Sequence, residues 1–145
     1  MGLKVLFICT GNTCRSPMAE GLAREMLGDD VQVSSAGMQA GEGEYASPHA
    51  LEVLAEQNID LSKHRARRLR EELMVEADWI IPMTHAQAES LKQQFPQHVH
   101  KFRCLGDWGK QKRDIRDPWG GSLEVYRQTA QEIGELLRAI KEQMS

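Results

Sequence analysis

The stretch Lys4-Val5-Leu6-Phe7-Ile8-Cys9-Thr10-Gly11-Asn12-Thr13-Cys14-Arg15-Ser16-Pro17 decides the fold. After Lys4, Val5 to Ile8 form an unbroken apolar run. Such a run reads as a parallel strand covered on both faces, placed at Leu3 to Ile8. Ser16 can cap a helix and Pro17 suits its first turn, so a helix follows, from Ser16 or Pro17 to Leu27. Met18, Leu22 and Met26 recur at every fourth position, as do Ala19, Ala23 and Leu27. They form an apolar stripe facing a sheet, and Gly28 stops the helix. Between strand and helix lies a short loop. There, converging backbone N–H groups and the positive end of the helix dipole make an anion site.

Outward from this loop, strands and helices alternate. Val31 to Ala36 reads as a second strand and the glycine-rich Gly37 to Ala46 as loop. Ser47-Pro48 opens a helix that ends near Asn58. Ile59 to Arg70 is a basic connection, whose His64-Arg65-Ala66-Arg67-Arg68-Leu69-Arg70 reads as solvated. Glu71 to Ala77 is a short helix and Asp78 to Met83 a third strand. Thr84 caps a helix to about Phe95, and Val99 to Leu105 has the β-branched and aromatic content of a fourth strand. Gly106 to Gly121 is irregular. Ser122 caps a last helix with Val125, Ile133, Leu136, Leu137 and Ile140 on its buried stripe. Alternation of this kind predicts an α/β fold, a four-stranded parallel sheet with helices on both faces. Its ligands bind beyond the strands' carboxyl ends, where the Cys9 loop sits.

Composition narrows the function. The 145 residues, with 41% apolar and 27% charged, suit a single globular domain over 1–145. A net charge of -3 gives no basic field for nucleic acid. No run approaches membrane-spanning length and no signal-peptide pattern is seen, so a cytoplasmic location is expected. Three cysteines, Cys9, Cys14 and Cys104, are too few for a disulfide scaffold. Zinc on Cys9 and Cys14 lacks the usual ligand spacings, so no metal is expected.

Inside the loop, five residues separate Cys9 from Arg15. Convergent N–H groups, a helix N-terminus and an arginine favour a thiolate, which can attack a bound phosphorus. Arg15 can clamp two phosphoryl oxygens in a bidentate fork. Gly11 admits a φ and a close approach that a side chain would block. Asn12 can hold the loop through side-chain bonds to its own backbone, and Ser16 can cap the helix, donate to Cys9, or both. No Gly-Lys-Ser/Thr and no G-x-G-x-x-G is present, which excludes the common nucleotide loops.

C-x-G-N-x-C-R-S-P from Cys9 to Pro17, Ser35-Ala36 and Asp117-Pro118-Trp119 together resemble the low-molecular-weight protein phosphatases over essentially the whole chain. The resemblance implies a metal-independent, cofactor-free phosphatase working through a cysteinyl-phosphate. It makes Cys9, Arg15 and Asp117 catalytic, with Asp117 the general acid. Asp114, three residues earlier, is the competing carboxylate. Thr10, Gly11, Asn12, Thr13, Cys14 and Ser16 would cradle the phosphate and Trp119 would wall the cleft. Ser35 and His64 match family residues that support the loop. Tyrosine phosphatases of the family carry Ile or Leu where this chain has Thr13. T-G-N-T-C-R-S-P-M-A-E, D-P-W-G-G-S and Y-R-Q-T instead resemble the bacterial protein-arginine phosphatases. Thr13 weakens an apolar wall for a phenyl ring and can steer a slender guanidinium toward Cys9, while Gly120 and Gly121 leave the opposite rim open. The expected partners are phosphorylated proteins, acted on by a monomer. Arsenate reductases share the loop, but they relay a disulfide through further cysteines and here only Cys104 lies outside it. Cys14 can resolve an oxidised Cys9 as a reversible disulfide.

Overall fold

The computed structural model describes residues 2–144. Its elements run β1 (Leu3–Cys9), α1 (Arg15–Leu27), β2 (Val31–Gly37), α2 (Pro48–Ala55), α3 (Glu71–Glu76), β3 (Trp79–Pro82), α4 (His85–Gln94) and α5 (Leu123–Met144), with 3-10 turns at Pro96–Lys101 and Leu105–Trp108. The strands form one parallel sheet in the order β2-β1-β3. Phe7 lies opposite Ser35 and Ile81, and Cys9 opposite Gly37.

The central strand shows why β1 is apolar without alternation. Val5, Phe7 and Cys9 point into a core built with α1, α2 and α5 through Met18, Leu22, Leu54, Ile133 and Leu137. Leu6 and Ile8 point the other way, into a smaller core with Met74 of α3 and Leu91 of α4. Successive residues of a strand face opposite sides, so a strand covered on both faces must be apolar at every position.

Among the described residues the sheet has three strands, not the expected four. Val99 to Leu105 does not extend. Pro96 starts a 3-10 turn through Lys101, and the next begins at Leu105. The segment reaches the sheet at a single point, an isolated parallel bridge of Phe102 to Ile80 with Arg103 N donating to the Ile80 carbonyl at 3.1 Å. One rung between two tight turns cannot propagate a strand, whatever its side-chain propensities.

Helix boundaries otherwise follow the capping chemistry. Ser47 accepts from Ala50 N, Thr84 and Gln87 form a reciprocal capping box, and Ser122 accepts from Val125 N. Gly28 ends α1 at φ 82. The helix from Pro48 ends at Ala55, short of Asn58, where a left-handed residue at φ 64 turns the chain. The basic connection is not simply solvated. Its backbone pairs with the loop after β2, through Gly37 N to the Arg67 carbonyl and Ala66 N to the Glu44 carbonyl, and Ala66 is buried.

Candidate active site

β1 delivers Cys9 to the carboxyl edge of the sheet, and residues 10–14 turn the chain into α1. Cys9 Sγ lies 2.9 Å from the Ser16 hydroxyl and accepts the Asn12 backbone N–H at 3.3 Å. The Asn12 amide Nδ2 donates to Ser16 Oγ at 2.8 Å. Accepting from Asn12 leaves the Ser16 hydroxyl free to donate its own proton to the sulfur. The Asn12 N–H and the Ser16 hydroxyl thus both converge on the sulfur. Ser16 sits inside α1 rather than at its cap. The cap position is Cys14, and no side chain among the described residues caps this end. The first-turn N–H groups therefore remain available to an anion.

Asn12 is the hub of the loop. It is buried, at φ 57, a left-handed conformation that Asn tolerates better than most residues. Its Nδ2 also donates to Ser35 Oγ at 2.9 Å, its Oδ1 accepts Arg67 N at 3.0 Å, and its carbonyl accepts His64 Nε2 at 2.8 Å. Because that partner is a carbonyl, His64 must carry its proton on Nε2. Ser35 Oγ donates onward to Glu20 Oε1 at 2.5 Å, and Arg67 Nε donates to the Ser35 carbonyl at 2.9 Å. The loop is thus fixed by α1, β2 and the connection before α3.

Gly11 does not take the unusual backbone conformation expected of it; Asn12 does. A Cβ on Gly11 would meet only Thr13 Oγ1, at 3.6 Å. Gly37 carries the steric demand instead, since a Cβ there would come within 2.7 Å of the Thr10 carbonyl oxygen and 2.9 Å of Asn12 N. Thr10 Oγ1 accepts from Gln87 Nε2 at 3.2 Å. The Thr13 carbonyl accepts Ser47 N at 2.9 Å, leaving its side chain half-buried on the rim. Cys14 turns inward, with Sγ 3.5 Å from Ser47 Oγ and 3.3 Å from the Tyr126 hydroxyl. Burial, with Cys14 beside it, pushes the Tyr126 hydroxyl up to about 12.

Arg15 joins this loop to the segment before α5. Its side chain is 7% exposed; Nη1 donates to the Ile115 carbonyl at 3.0 Å and Nη2 lies 3.7 Å from Asp117 Oδ2. Asp117 is 55% exposed, and its Oδ1 accepts Trp119 N at 3.1 Å, an Asx turn. The Trp119 ring projects into solvent at 76% exposure. The competing carboxylate faces elsewhere. Asp114 Oδ1 accepts both N and Nδ1 of His85, at 2.9 and 2.6 Å, and these bonds hold its carboxyl below the usual range. The structure therefore brings Cys9, Arg15 and Asp117 to one mouth, with Asp114 turned away to α4.

Cys104 stands apart from the loop. It is buried, donates to the Thr84 carbonyl at 3.4 Å, and burial chiefly pushes its thiol up to about 12. Among the described residues, Cys9 and Cys14 belong to no grouping of metal-ligand side chains; His85, Cys104 and Asp107 do lie within 4.8 Å of one another. Sequence reasoning missed Arg67, Gln87, Glu20 and Tyr126. Glu20, four residues after Ser16 on α1, had a local signal, since that spacing puts both on one helix face. The others act from far along the chain.

The site defines a cysteine-dependent phosphatase of the low-molecular-weight class. A family model described as low molecular weight phosphotyrosine protein phosphatase matches residues 4–145, and the chain belongs to this family. It is 42% identical to a protein-arginine-phosphatase of Bacillus subtilis, over 98% of this chain and 97% of that protein. It is 34% identical to a low molecular weight protein-tyrosine-phosphatase, PtpB, of Staphylococcus haemolyticus, over 96% of this chain and 98% of that one. Among solved structures, the YwlE arginine phosphatase from Geobacillus stearothermophilus superposes with a TM-score of 0.93 at 38% identity, over 98% of this chain and 92% of that one.

Proposed function

We propose that this chain is a protein-arginine phosphatase that hydrolyses phosphoarginine residues through a cysteinyl-phosphate. The observation that carries the reading is Thr13 on the rim of the Cys9 loop, supported by relatives of that activity at 38–42% identity. A threonine there narrows the apolar wall that a phenyl ring needs, while a guanidinium passes beside it. Asp117, exposed at the opposite side, can accept guanidinium N–H bonds as well as deliver a proton.

In the first step, Cys9 Sγ attacks phosphorus in line. The S–P bond forms as the P–N bond to the arginine side chain breaks, and Asp117 gives its proton to the departing nitrogen. Arg15 and the loop N–H groups hold the equatorial oxygens as charge shifts among them. In the second step, Asp117 takes a proton from water. The new O–P bond forms, the S–P bond breaks, and phosphate leaves with the Cys9 thiolate restored. Thr10, Gly11, Asn12, Thr13, Cys14 and Ser16 form the cradle, Ser35 and His64 brace it through Asn12, and Trp119 walls the cleft. No cofactor or metal enters these steps.

Cys14 has a second role in this reading. When peroxide oxidises Cys9 to a sulfenic acid, the Cys14 thiol displaces water and closes a disulfide, which thiols reverse. We further propose that the protein is a cytoplasmic monomer acting on phosphorylated proteins rather than on nucleic acid or membranes. No helix among the described residues is long and apolar enough to cross a membrane.

Steady-state kinetics on matched phosphoarginine and phosphotyrosine peptides decide the substrate. Higher kcat/KM on phosphoarginine is expected; a preference for phosphotyrosine would overturn the reading. Tyrosine-phosphatase activity is the second reading, favoured by an exposed Trp119 ring two residues from Asp117 and by the Staphylococcus relative.

A further inference from the structure

Asp117 has no regular element under it. The segment from Gly106 to Gly121 leaves its 3-10 turn at Trp108 and is irregular until α5. Something else must hold a general acid in place, because displacement by about 1 Å can cost on the order of 100-fold in rate. One tether is Ile115, whose N donates to the Met83 carbonyl at 2.9 Å while its carbonyl accepts Arg15 Nη1 at 3.0 Å. The other lies at the first residue of α4.

We propose that His85 is a positioning residue for Asp117, its ring fastening both ends of the loop that leads to the acid. The inference rests on the reading of Asp117 as general acid. His85 Nε2 is 2.9 Å from Asp107 Oδ1 and Nδ1 is 2.6 Å from Asp114 Oδ1; its backbone N also donates to Asp114 Oδ1, at 2.9 Å. Asp107 opens the loop and Asp114 closes it. The residues just before each of them approach so closely that a Cβ on Gly106 would overlap the Arg113 carbonyl. Asp114 adjoins Ile115, which is anchored on both sides, and Asp117 follows two residues later. A ring whose two nitrogens both meet carboxylates satisfies both only as imidazolium.

The charges around the ring agree. Bonds from Asp107 first, then Asp114, raise His85 above its ordinary value. The further groups in this cluster are the buried Cys104 thiol, which Lys92 and Glu89 of α4 also influence, and Arg15, whose charge acts on Asp114. The sign follows. A raised histidine contributes fully below its unfolded value and is lost as pH rises through its folded one. A lowered Asp114 contributes above the usual carboxylate range and is lost as pH falls through its own lowered value. The fastener is closed between those two limits.

The test is a double-mutant cycle of His85→Ala with Asp117→Asn, read on aryl phosphates of differing leaving-group basicity. Asp117→Asn alone should lower kcat by about 10²–10⁴-fold on basic leaving groups. His85→Ala should lower kcat by about 10- to 100-fold there, with KM unchanged and a much smaller loss on p-nitrophenyl phosphate. In the Asp117→Asn background His85→Ala should add nothing. His85→Asn, which keeps a donor toward Asp114, should recover part of the loss and serves if the alanine variant folds poorly. The wild-type fall in rate at alkaline pH should be shallower in His85→Ala. Equal losses across leaving groups, or full additivity with Asp117→Asn, overturn the His85 inference alone. An inert Asp117→Asn overturns the general-acid reading beneath it. Loss of wild-type activity in EDTA with recovery on added zinc would reassign His85, Cys104 and Asp107 to a metal site and also overturn the inference.

Discussion

The Cys9 loop and the Asp117 segment meet at Arg15, yet they are held very differently. The loop turns Asn12 and Cys14 inward, and its buried hub residue, Asn12, bonds through its side-chain amide, its backbone N–H and its carbonyl to Cys9, Ser16, Ser35, His64 and Arg67. The acid segment is irregular and solvent-facing, and a few tethers at His85, Met83 and Arg15 fix it. The contrast matches the proposed chemistry. A phosphoryl group with charge moving among its oxygens needs donors that do not reorganise. A general acid has to meet leaving groups carried by whole proteins, so it must stand at the open edge. Rigidity is concentrated where the charge develops, and access where the substrate differs.

Losses of chemistry should be largest on the loop side. Cys9→Ala should abolish phosphate release, by at least about 10⁴-fold in kcat, since it leaves no nucleophile at the head of the loop to form the covalent intermediate. Asp117→Asn should leave a measurable rate on good leaving groups, which need no proton. Trapping of a phosphoenzyme in Asp117→Asn but not in Cys9→Ala, by rapid quench, would separate the two halves directly. Equal residual rates in the two variants would break the contrast.

Stability should show the same asymmetry. Asn12→Ala removes the acceptor for Arg67 N and the donor to two buried hydroxyls, and puts alanine at φ 57. At least about 2 kcal/mol should be lost, read as a lower urea midpoint with an unchanged slope. Asn12→Asp keeps Oδ1 but sets a carboxylate beside Ser16 and Ser35, facing the bound anion. It should fold better than the alanine variant while binding inorganic phosphate more weakly. A midpoint unmoved by Asn12→Ala would mean that the loop is held by its backbone alone.

Much of this was legible in the sequence, and the reasons differ by region. The strand, loop and first helix are consecutive, so local rules suffice: an apolar run, a turn and a periodic stripe. Cys9, Arg15 and Asp117 sit in recognisable motifs. What stayed hidden depends on contacts far apart in the chain. Arg67 reaches Asn12 through a backbone N–H, which no side chain advertises, and Gln87 and Tyr126 touch the loop from α4 and α5. Val99 and Phe102 have strand-like side chains, but Pro96 and the next 3-10 turn leave them no length to pair. Gly11 drew the flexible role because glycine usually takes it, yet Asn12 makes the left-handed turn with its own hydrogen bonds to offset the strain.

Selectivity tests a finer point, because Thr13 lies at the seam between the rigid loop and the open mouth. Its backbone is fixed through Ser47 while its side chain borders the cleft. Thr13→Ile should shift the ratio of kcat/KM toward phosphotyrosine by about 1–3 kcal/mol, roughly 5- to 150-fold, with no change in phosphoenzyme chemistry on p-nitrophenyl phosphate. A ratio that stays put would move the selector to the acid segment.

The smallest effect belongs to Trp119. At 76% exposure its ring has little packing to lose, and the N–H that bonds Asp117 is on the backbone. Trp119→Ala therefore keeps the acid anchored and should change stability by less than about 0.5 kcal/mol, as surface substitutions do. A wall that touches substrate before and during reaction supplies uniform binding, so its removal should raise KM several-fold and leave kcat in place. Matched peptides make the outcome more informative. A rise in KM confined to phosphotyrosine would make the ring a stacking surface for the second substrate class. An equal rise for phosphoarginine would make it a general lip over the peptide backbone. A fall in kcat would show that the ring also holds Asp117, and that the exposed half of the site is more ordered than its contacts indicate.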